Sequence, residues 1–123
     1  MTVDANVIIA YLGGDENVID ILSSWRQQGG LLYLSTVVET EVLSFSQLTP
    51  QQSNDMQIFL EENFVSIAFD RQLSRLAAQL RRTVKIKFPD AAIAATALYT
   101  NTPLVTRNQK DFKKINGLQL VSI

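Results

Sequence analysis

The 123-residue sequence contains no cysteine and no histidine. The absence of cysteine excludes a disulfide framework and a zinc–thiolate site. The absence of histidine excludes a Ser-His catalytic triad, an imidazole metal ligand and the side chain that most often serves as a general base near neutral pH. Any metal-binding or hydrolytic chemistry in this chain must therefore use oxygen atoms, chiefly those of carboxylates.

The sequence also lacks long apolar runs. No stretch approaches the ~20 apolar residues of a membrane-spanning helix, and no cationic segment followed by an apolar run opens the chain. Its 46% hydrophobic and 19% charged content suits one compact domain that buries a sizeable core. We therefore expect residues 1–123 to form a single soluble, cytoplasmic domain.

Charge is distributed unevenly along the chain. Residues 1–70 contain ten acidic residues and one basic residue, Arg26, whereas residues 71–123 contain ten basic residues and only two acidic ones, Asp90 and Asp111. Such asymmetry favours a polyanion-binding face, because Lys and Arg neutralise phosphates and release counterions; the alternative is a solvated helical surface. The positions of the basic residues in the sequence favour phosphate binding. Four of them lie close to Asp90 or Asp111 in the sequence: Lys85, Lys87, Arg107 and Lys110.

Short β-rich runs alternate with helical patterns, which is typical of βαβ units and a parallel sheet. The predicted strands are Thr2–Asp4, Leu31–Ser35, Phe64–Ala68, Leu104–Thr106 and Leu118–Val121. The first three predicted helices are Asn6–Leu12, Glu16–Gln28 and Thr36–Phe45. A fourth runs from Thr49-Pro50 to about Glu62, and a fifth, capped by Asp70, runs to about Arg82. A basic loop at Val84–Phe88 precedes a sixth helix, Asp90–Tyr99, and a helical turn is predicted at Gln109–Ile115. The pattern predicts an α/β fold with about five strands.

Four acidic residues fall where a predicted strand ends or the next helix begins: Asp4, Glu41, Asp90 and Asp111. Such positions converge at one edge of an open parallel sheet, where the carboxylates repel one another unless a cation joins them. Mg²⁺ and Mn²⁺ prefer oxygen ligands, and such ions promote phosphodiester cleavage by activating a bound water. The pattern therefore predicts a site for metal-dependent hydrolysis.

Each of these residues also has a purely structural interpretation. Asp90 fits a helix-start acid favoured by the helix dipole, and Asp111 fits a surface partner of Lys114. Glu39 and Glu41 are two positions apart and leave a helix in different directions, so at most one of them faces the site. Four neighbouring polar residues fit turn, cap or strand-end roles in the same way: Asn6, Asn108, Thr36 and Thr106.

Four segments carry a resemblance to a known family: Val3–Ala10 (VDANVIIA), Leu34–Leu43 (LSTVVETEVL), Pro89–Ala97 (PDAAIAATA) and Leu104–Phe112 (LVTRNQKDF). In this order and spacing they resemble the PIN domain, and within it the small VapC-type toxin ribonucleases. Single segments are weak signals, but four in order span nearly the whole chain. The resemblance implies a doubly wound α/β fold with a central parallel sheet flanked by helices, and an acidic pocket that binds Mg²⁺ or Mn²⁺ for RNA hydrolysis.

The resemblance also implies roles for single residues. Asp4, Glu41 and Asp90 match the three core acids of the family. The usual fourth acid falls on Asn108, which is uncharged, so Asp111 of the Thr-Arg-Asn-x-x-Asp-Phe pattern is the expected fourth carboxylate. In this hypothesis Asp4 and Asp90 hold the principal metal, while Glu41 and Asp111 complete its shell or hold a second ion. Supporting roles are expected for Asn6 and Asn108, and RNA phosphate contacts for Arg107, Lys110, Lys85 and Lys87.

The leading hypothesis is thus an endoribonuclease toxin with an RNA substrate and a protein antitoxin. A homodimer is expected from the resemblance and from the apolar residues Phe45, Phe59 and Phe69. The alternatives are a PIN nuclease outside a toxin pair, a catalytically silent RNA- or protein-binding module, and a phosphoacceptor signalling domain. The last is disfavoured because neither the second nor the third predicted strand ends in an aspartate at the required place.

Overall fold

The structure, a computed structural model, describes residues 1–123 and contains five strands and seven helices. The strands are β1 (Thr2–Val3), β2 (Tyr33–Ser35), β3 (Val65–Ile67), β4 (Leu104–Val105) and β5 (Leu120–Val121). The helices are α1 (Ala5–Leu12), α2 (Glu16–Gln27), α3 (Thr36–Leu43), α4 (Pro50–Asn63), α5 (Arg71–Thr83), α6 (Phe88–Thr100) and α7 (Gln109–Phe112). Every predicted element is present, and each strand is shorter than predicted. None of the helices has the length and apolar character that a membrane span requires.

The sheet is parallel throughout, with strand order β3-β2-β1-β4-β5. The chain winds outward from β1 to β3, then crosses back to β4 and continues outward to β5. This arrangement confirms the predicted doubly wound α/β fold. The direction of winding reverses between β1 and β4, and ligands of such sheets bind at the carboxyl ends of the strands beside that reversal.

The central strand β1 is only two residues long, yet it is bonded on both sides. Thr2 pairs with Tyr33 of β2 and with Leu104 of β4. The Thr2 N–H donates to the Pro103 carbonyl at 2.8 Å, and the Tyr33 N–H donates to the Met1 carbonyl at 2.8 Å. The short strand therefore places the residue that follows it at the centre of the sheet edge.

Helix α6 packs closely because its side chains are small. Residues 91–97 are all buried, and five of these seven residues are alanine. Pro89 occupies the first turn, so the helix begins at Phe88, two residues earlier than the predicted start at Asp90. The helix ends at Thr100, and the residue that caps it, Asn101, has a left-handed backbone conformation with a φ of 52°. Its N-terminal turn lies at the same sheet edge as the end of β1.

Five of the other six helices begin with a side-chain cap, and two of these caps, Thr49 and Asp70, were predicted from the sequence. Asp70 caps α5, and Thr49 caps α4 through a reciprocal pair with Gln52: Thr49 Oγ1 accepts from the Gln52 N–H at 3.2 Å, and Gln52 Oε1 accepts from the Thr49 N–H at 3.0 Å. Helix α3 ends at Leu43, two residues earlier than the predicted end at Phe45. The caps at Thr49 and Asp70 therefore define the first residues of α4 and α5.

Candidate active site

Asp4 directly follows β1 and is 5% exposed. Its Oδ1 accepts a hydrogen bond from the Ala5 N–H at 2.6 Å, and its Oδ2 accepts one from the Thr106 hydroxyl at 2.7 Å. Burial raises the pKa of Asp4, and these two hydrogen bonds lower it to a smaller extent. The side chain is therefore a buried carboxylate held in one orientation at the reversal point of the sheet.

Thr106 follows β4 and joins several polar groups of the site. Besides donating to Asp4, its hydroxyl oxygen accepts from the Asn108 N–H at 3.0 Å and from the Asn6 amide at 3.4 Å. The Asn6 amide also lies 3.4 Å from Asp4 Oδ2, and its carbonyl oxygen accepts from the Arg107 N–H at 3.3 Å. The sequence predicted Thr106 only as a hydroxyl at the end of a strand. These contacts were not predicted, because the sequence around a threonine after a strand does not indicate which residues its hydroxyl will contact.

Asp111 is tied to the same network through Asn108. The Asn108 amide donates to Asp111 Oδ2 at 2.9 Å. The structure contains one salt bridge, between Arg107 and Asp15, so the alternative in which Asp111 pairs with Lys114 is wrong. Asn108 thus supports the carboxylate of Asp111.

Glu41 and Asp90 are coupled electrostatically to Asp4. Burial raises the pKa of Glu41, and the charges of Asp4 and Asp90 raise it further. Burial also raises the pKa of Asp90, as do the charges of Asp4 and Asp111, whereas Lys87 lowers it. A carboxylate that served only to start α6 would be stabilised by the helix dipole, so these repulsions favour a site role for Asp90. All four predicted acids therefore interact through their charges, and we call Asp4, Glu41, Asp90 and Asp111 the carboxylate cluster.

The donor chemistry of this cluster fits a hard divalent cation. All four side chains offer carboxylate oxygens, the ligand that Mg²⁺ and Mn²⁺ prefer. As the side chains lie, no group of three or more acidic residues is close enough to form a cage around one ion. Mg²⁺ is usually held by one or two carboxylates together with waters and substrate phosphates, so a cage is not required. Burial raises the pKa values of Asp4, Glu41 and Asp90, and neighbouring carboxylates raise those of Glu41 and Asp90 further. A cation between these residues would stabilise all three in their charged form.

A groove of about 540 Å³ opens beside Asp111, and we call it the basic groove. It is lined by Arg81, Lys85, Ile86, Lys87, Lys110, Asp111 and Lys114. The groove brings together three of the four bases predicted to contact phosphate. Lys114 lies four positions after Lys110, a spacing that places both on one side of a helical turn and could have identified it. The sequence gives no indication that Arg81 lines the groove, because its position there depends on how α5 packs against α6.

Arg107, the fourth predicted phosphate contact, does not line the basic groove. Its guanidinium forms an ion pair with Asp15, the cap of α2. The hydrogen bond from Arg107 holds the pKa of Asp15 below its ordinary value. Asp15 was missed in the sequence because nothing in the α1–α2 connection indicates contact with the turn after β4.

The three apolar residues expected to be available for a homodimer differ in exposure. Phe45 is 58% exposed. Phe59 is partly buried and stacks on Tyr11 at a ring-centroid distance of 5.5 Å. Phe69 is partly buried and packs edge-to-face against Phe88. Of the three, Phe45 presents the largest free surface.

Comparison with known proteins agrees with this fold. The family model described as PIN domain matches residues 1–118. A toxin–antitoxin complex from Klebsiella pneumoniae is 28% identical with a TM-score of 0.83, and the match covers 99% of this chain and 98% of that chain. VapBC-1 from nontypeable Haemophilus influenzae is 26% identical with a TM-score of 0.81, covering 98% and 96%. VapBC2 from Rickettsia felis, bound to a DNA fragment from its promoter, shares the fold at 24% identity, a TM-score of 0.83 and coverage of 99% and 97%. No curated protein sequence matches the chain.

Proposed function

The chain belongs to the PIN domain family, and from this premise we propose that it is a metal-dependent endoribonuclease acting as the toxin of a toxin–antitoxin pair. The observation that carries the proposal is the buried Asp4 carboxylate, held by Thr106 at the sheet reversal, with Glu41 and Asp90 near enough for its charge to add to the effect of burial in raising their pKa values. Carboxylates crowded in this way are costly unless they bind a cation. The basic groove beside them suits a polyanionic substrate.

We assign Mg²⁺ or Mn²⁺ as the cofactor, with Asp4 and Asp90 as the principal ligands. Glu41 and Asp111 complete the shell through waters or hold a second ion. When bound, the ion lowers the pKa of a water and stabilises the charge that develops on the scissile phosphate. Asp4 remains able to bind it, because each carboxylate oxygen has a second lone pair beyond the one used by Ala5 or Thr106.

The remaining polar residues orient the acids. Asn6 and Thr106 hold the Asp4 carboxylate, and Asn108 holds that of Asp111. Partial burial and the charges of Asp4 and Asp90 raise the pKa of Glu41, which moves this carboxylate toward the range in which it serves best as a general base. We therefore assign to a Glu41 carboxylate oxygen the acceptance of a proton from the attacking water.

The substrate is single-stranded RNA whose phosphates lie in the basic groove. Lys85, Lys87 and Lys110 contact the backbone, joined by Arg81 and Lys114. Arg107, the other predicted phosphate contact, would have to leave Asp15 to reach RNA. We propose the cytoplasm as the compartment in which this chain acts on RNA.

The partners include a protein antitoxin and a second copy of this chain. The Klebsiella pneumoniae neighbour was solved as a toxin–antitoxin complex, and the match covers nearly all of this chain and nearly all of the chain it matches in that complex. Exposed Phe45 supports the homodimer. Co-expression with the product of the adjacent reading frame, followed by purification through a tag on one chain, tests the antitoxin. A nuclease outside a toxin pair would purify alone.

Calorimetric titration with Mn²⁺ separates the enzyme from a catalytically silent binding module. The proposal expects saturable binding by the wild type and loss of that binding in Asp4→Asn, because the amide removes the charge at the principal ligand. A chain that binds RNA but no Mn²⁺ would be a binding module.

A further inference from the structure

A second, smaller cavity of about 150 Å³ lies beside the basic groove, and we call it the aromatic pocket. It is lined by Phe69, Ser74, Ala77, Ala78, Arg81 and Phe88. The rings of Phe69 and Phe88 meet edge-to-face, with centroids 5.6 Å apart and planes at 90°. In this arrangement at least one ring keeps both faces free of the other, and Phe88 is 47% exposed. The pocket therefore offers open aromatic surface.

Arg81 connects the two cavities, because it lines both of them. Its Nε donates to the Ile86 carbonyl at 3.3 Å, which holds the side chain against the α5–α6 connection. The two terminal nitrogens of the guanidinium remain free to contact a ligand. A cation fixed at this boundary suits a ligand that is flat and apolar on one side and anionic on the other.

The aromatic pocket is connected through its walls to the helices that carry two of the acids, Asp90 and Glu41. Phe88 and Asp90 both belong to the first turn of α6, and Lys87 precedes that turn. On the opposite wall, the Phe69 N–H donates to the Thr36 hydroxyl at 3.0 Å, which ties the pocket to the start of α3, the helix that carries Glu41. The pocket therefore shares α6 with Asp90 and adjoins the start of the helix that carries Glu41, and the basic groove that meets it at Arg81 also contains Asp111.

We propose that the aromatic pocket binds one unpaired RNA base next to the scissile phosphate and so selects the position of cleavage. The inference rests on the proposed ribonuclease function. Bases of single-stranded RNA stack on aromatic rings and arginine planes, and their phosphates pair with cations. The aromatic pocket and the basic groove match these two halves of a nucleotide, and a shared Arg81 joins them. A protein side chain would fill the pocket but would leave the adjoining cations without a partner.

The test is the affinity for a fluorescent single-stranded RNA, measured by anisotropy in EDTA, and for a strand of the same length and charge that lacks its bases. Phe88→Leu removes the aromatic ring while keeping an apolar side chain, and Phe88→Tyr keeps the ring. Ala78→Leu fills the pocket from an exposed helical position without removing a contact. Tyr99→Leu is the matched control, since Tyr99 is 52% exposed near the other end of α6. Thermal melting checks that each variant folds.

Base stacking on an aromatic side chain contributes a factor of about five or more in affinity. We expect Phe88→Leu and Ala78→Leu each to weaken binding of the complete RNA by at least that factor, with binding of the baseless strand and the salt dependence unchanged. Phe88→Tyr and Tyr99→Leu should resemble the wild type. With Mn²⁺, Phe88→Leu should still cleave RNA but distribute its cuts over more positions.

The inference is overturned if both pocket variants bind the two strands as the wild type does. It is also overturned if Phe88→Leu leaves RNA binding unchanged and weakens only the capture of a co-expressed protein partner, since the pocket would then be a protein contact. Either result leaves the proposed function intact as long as the wild type cleaves RNA. A wild type that neither binds nor cleaves RNA overturns the proposed function and this inference with it.

Discussion

The Thr106 hydroxyl donates a 2.7 Å hydrogen bond to Oδ2 of Asp4 across 102 positions of sequence. Both residues directly follow central strands, β4 and β1, whose register pairs Val105 with Val3. The bond therefore exists because the two strands are neighbours at the reversal of the sheet. It orients the acid proposed as principal metal ligand and lowers its pKa against the effect of burial.

Replacing Thr106 with Val tests this relationship. The variant keeps the shape of the side chain but removes a hydrogen bond to a buried carboxylate, which should lower the free energy of unfolding by about 1.5–3 kcal/mol. Loss of such an orienting partner should weaken Mn²⁺ binding by about 10–100-fold. Calorimetry and chemical denaturation measure the two effects.

Thr96→Val is the matched control. Thr96 is also fully buried, and its hydroxyl donates to the Ala92 carbonyl at 2.9 Å within α6, away from any carboxylate. This variant should lose about 1 kcal/mol of stability and bind Mn²⁺ as the wild type does. Equal losses of Mn²⁺ affinity in both variants would show that Thr106 has no specific role at the site.

Asp90→Asn should abolish cleavage while the fold is retained. In EDTA the variant should melt at or above the wild-type temperature, because removing one charge relieves the repulsion with Asp4 and Asp111. Exposed Asp20 lies in α2, and Asp20→Asn should leave both cleavage and melting unchanged. An Asp90→Asn protein that melts well below the wild type would identify Asp90 as a structural residue.

The raised pKa of Asp90, caused first by burial and then by the charges of Asp4 and Asp111, makes a prediction about pH. In the folded chain the pKa of Asp90 is raised above its ordinary value of 3.8, so the folded state binds its proton more tightly than the unfolded state does. Its contribution to stability is fully present below pH 3.8 and is lost as the pH rises through the folded-state pKa. In EDTA, the melting advantage of Asp90→Asn should therefore grow from acid toward neutral pH. An advantage that is constant with pH would show that charge is not its cause.

The basic groove predicts how RNA affinity depends on salt. Lys87→Ala and Lys110→Ala should each weaken RNA binding for all sequences and reduce the salt exponent by roughly 0.7, the value for one lost phosphate contact on a single strand. Lys113→Ala is the control, since Lys113 lies in the same segment as Lys110 but does not line the groove. Equal changes in all three variants would mean that only net charge matters.

The sequence predicted the sheet and the acids because both depend on local patterns. Strand ends follow from short β-rich runs, and parallel strands bring their carboxyl ends together, so Asp4 and Asp111 were placed before any contact was known. Helical spacing alone does not say whether Glu39 or Glu41 faces the sheet edge. The family resemblance selected Glu41, and in the structure burial and the charges of Asp4 and Asp90 raise the pKa of Glu41.

The contacts that the sequence missed join distant elements. Arg107 pairs with Asp15 across 92 positions, and Arg81 belongs to both cavities through the meeting of α5 and α6. Such contacts depend on packing and side-chain direction, neither of which leaves a local signal. Charge asymmetry identified the basic half of the chain, but it did not separate Arg107 from the lysines of the basic groove.

The central claim is metal-dependent RNA cleavage at the carboxylate cluster. The most direct measurement is the cleavage of a labelled single-stranded RNA by the purified chain in Mn²⁺, in excess EDTA, and in EDTA followed by excess Mn²⁺, with Asp90→Asn alongside. Cleavage by the wild type should appear with Mn²⁺, disappear with EDTA and return when Mn²⁺ is restored, and the variant should cleave under none of these conditions. Cleavage that persists in excess EDTA, or that proceeds at the wild-type rate in Asp90→Asn, would contradict the claim.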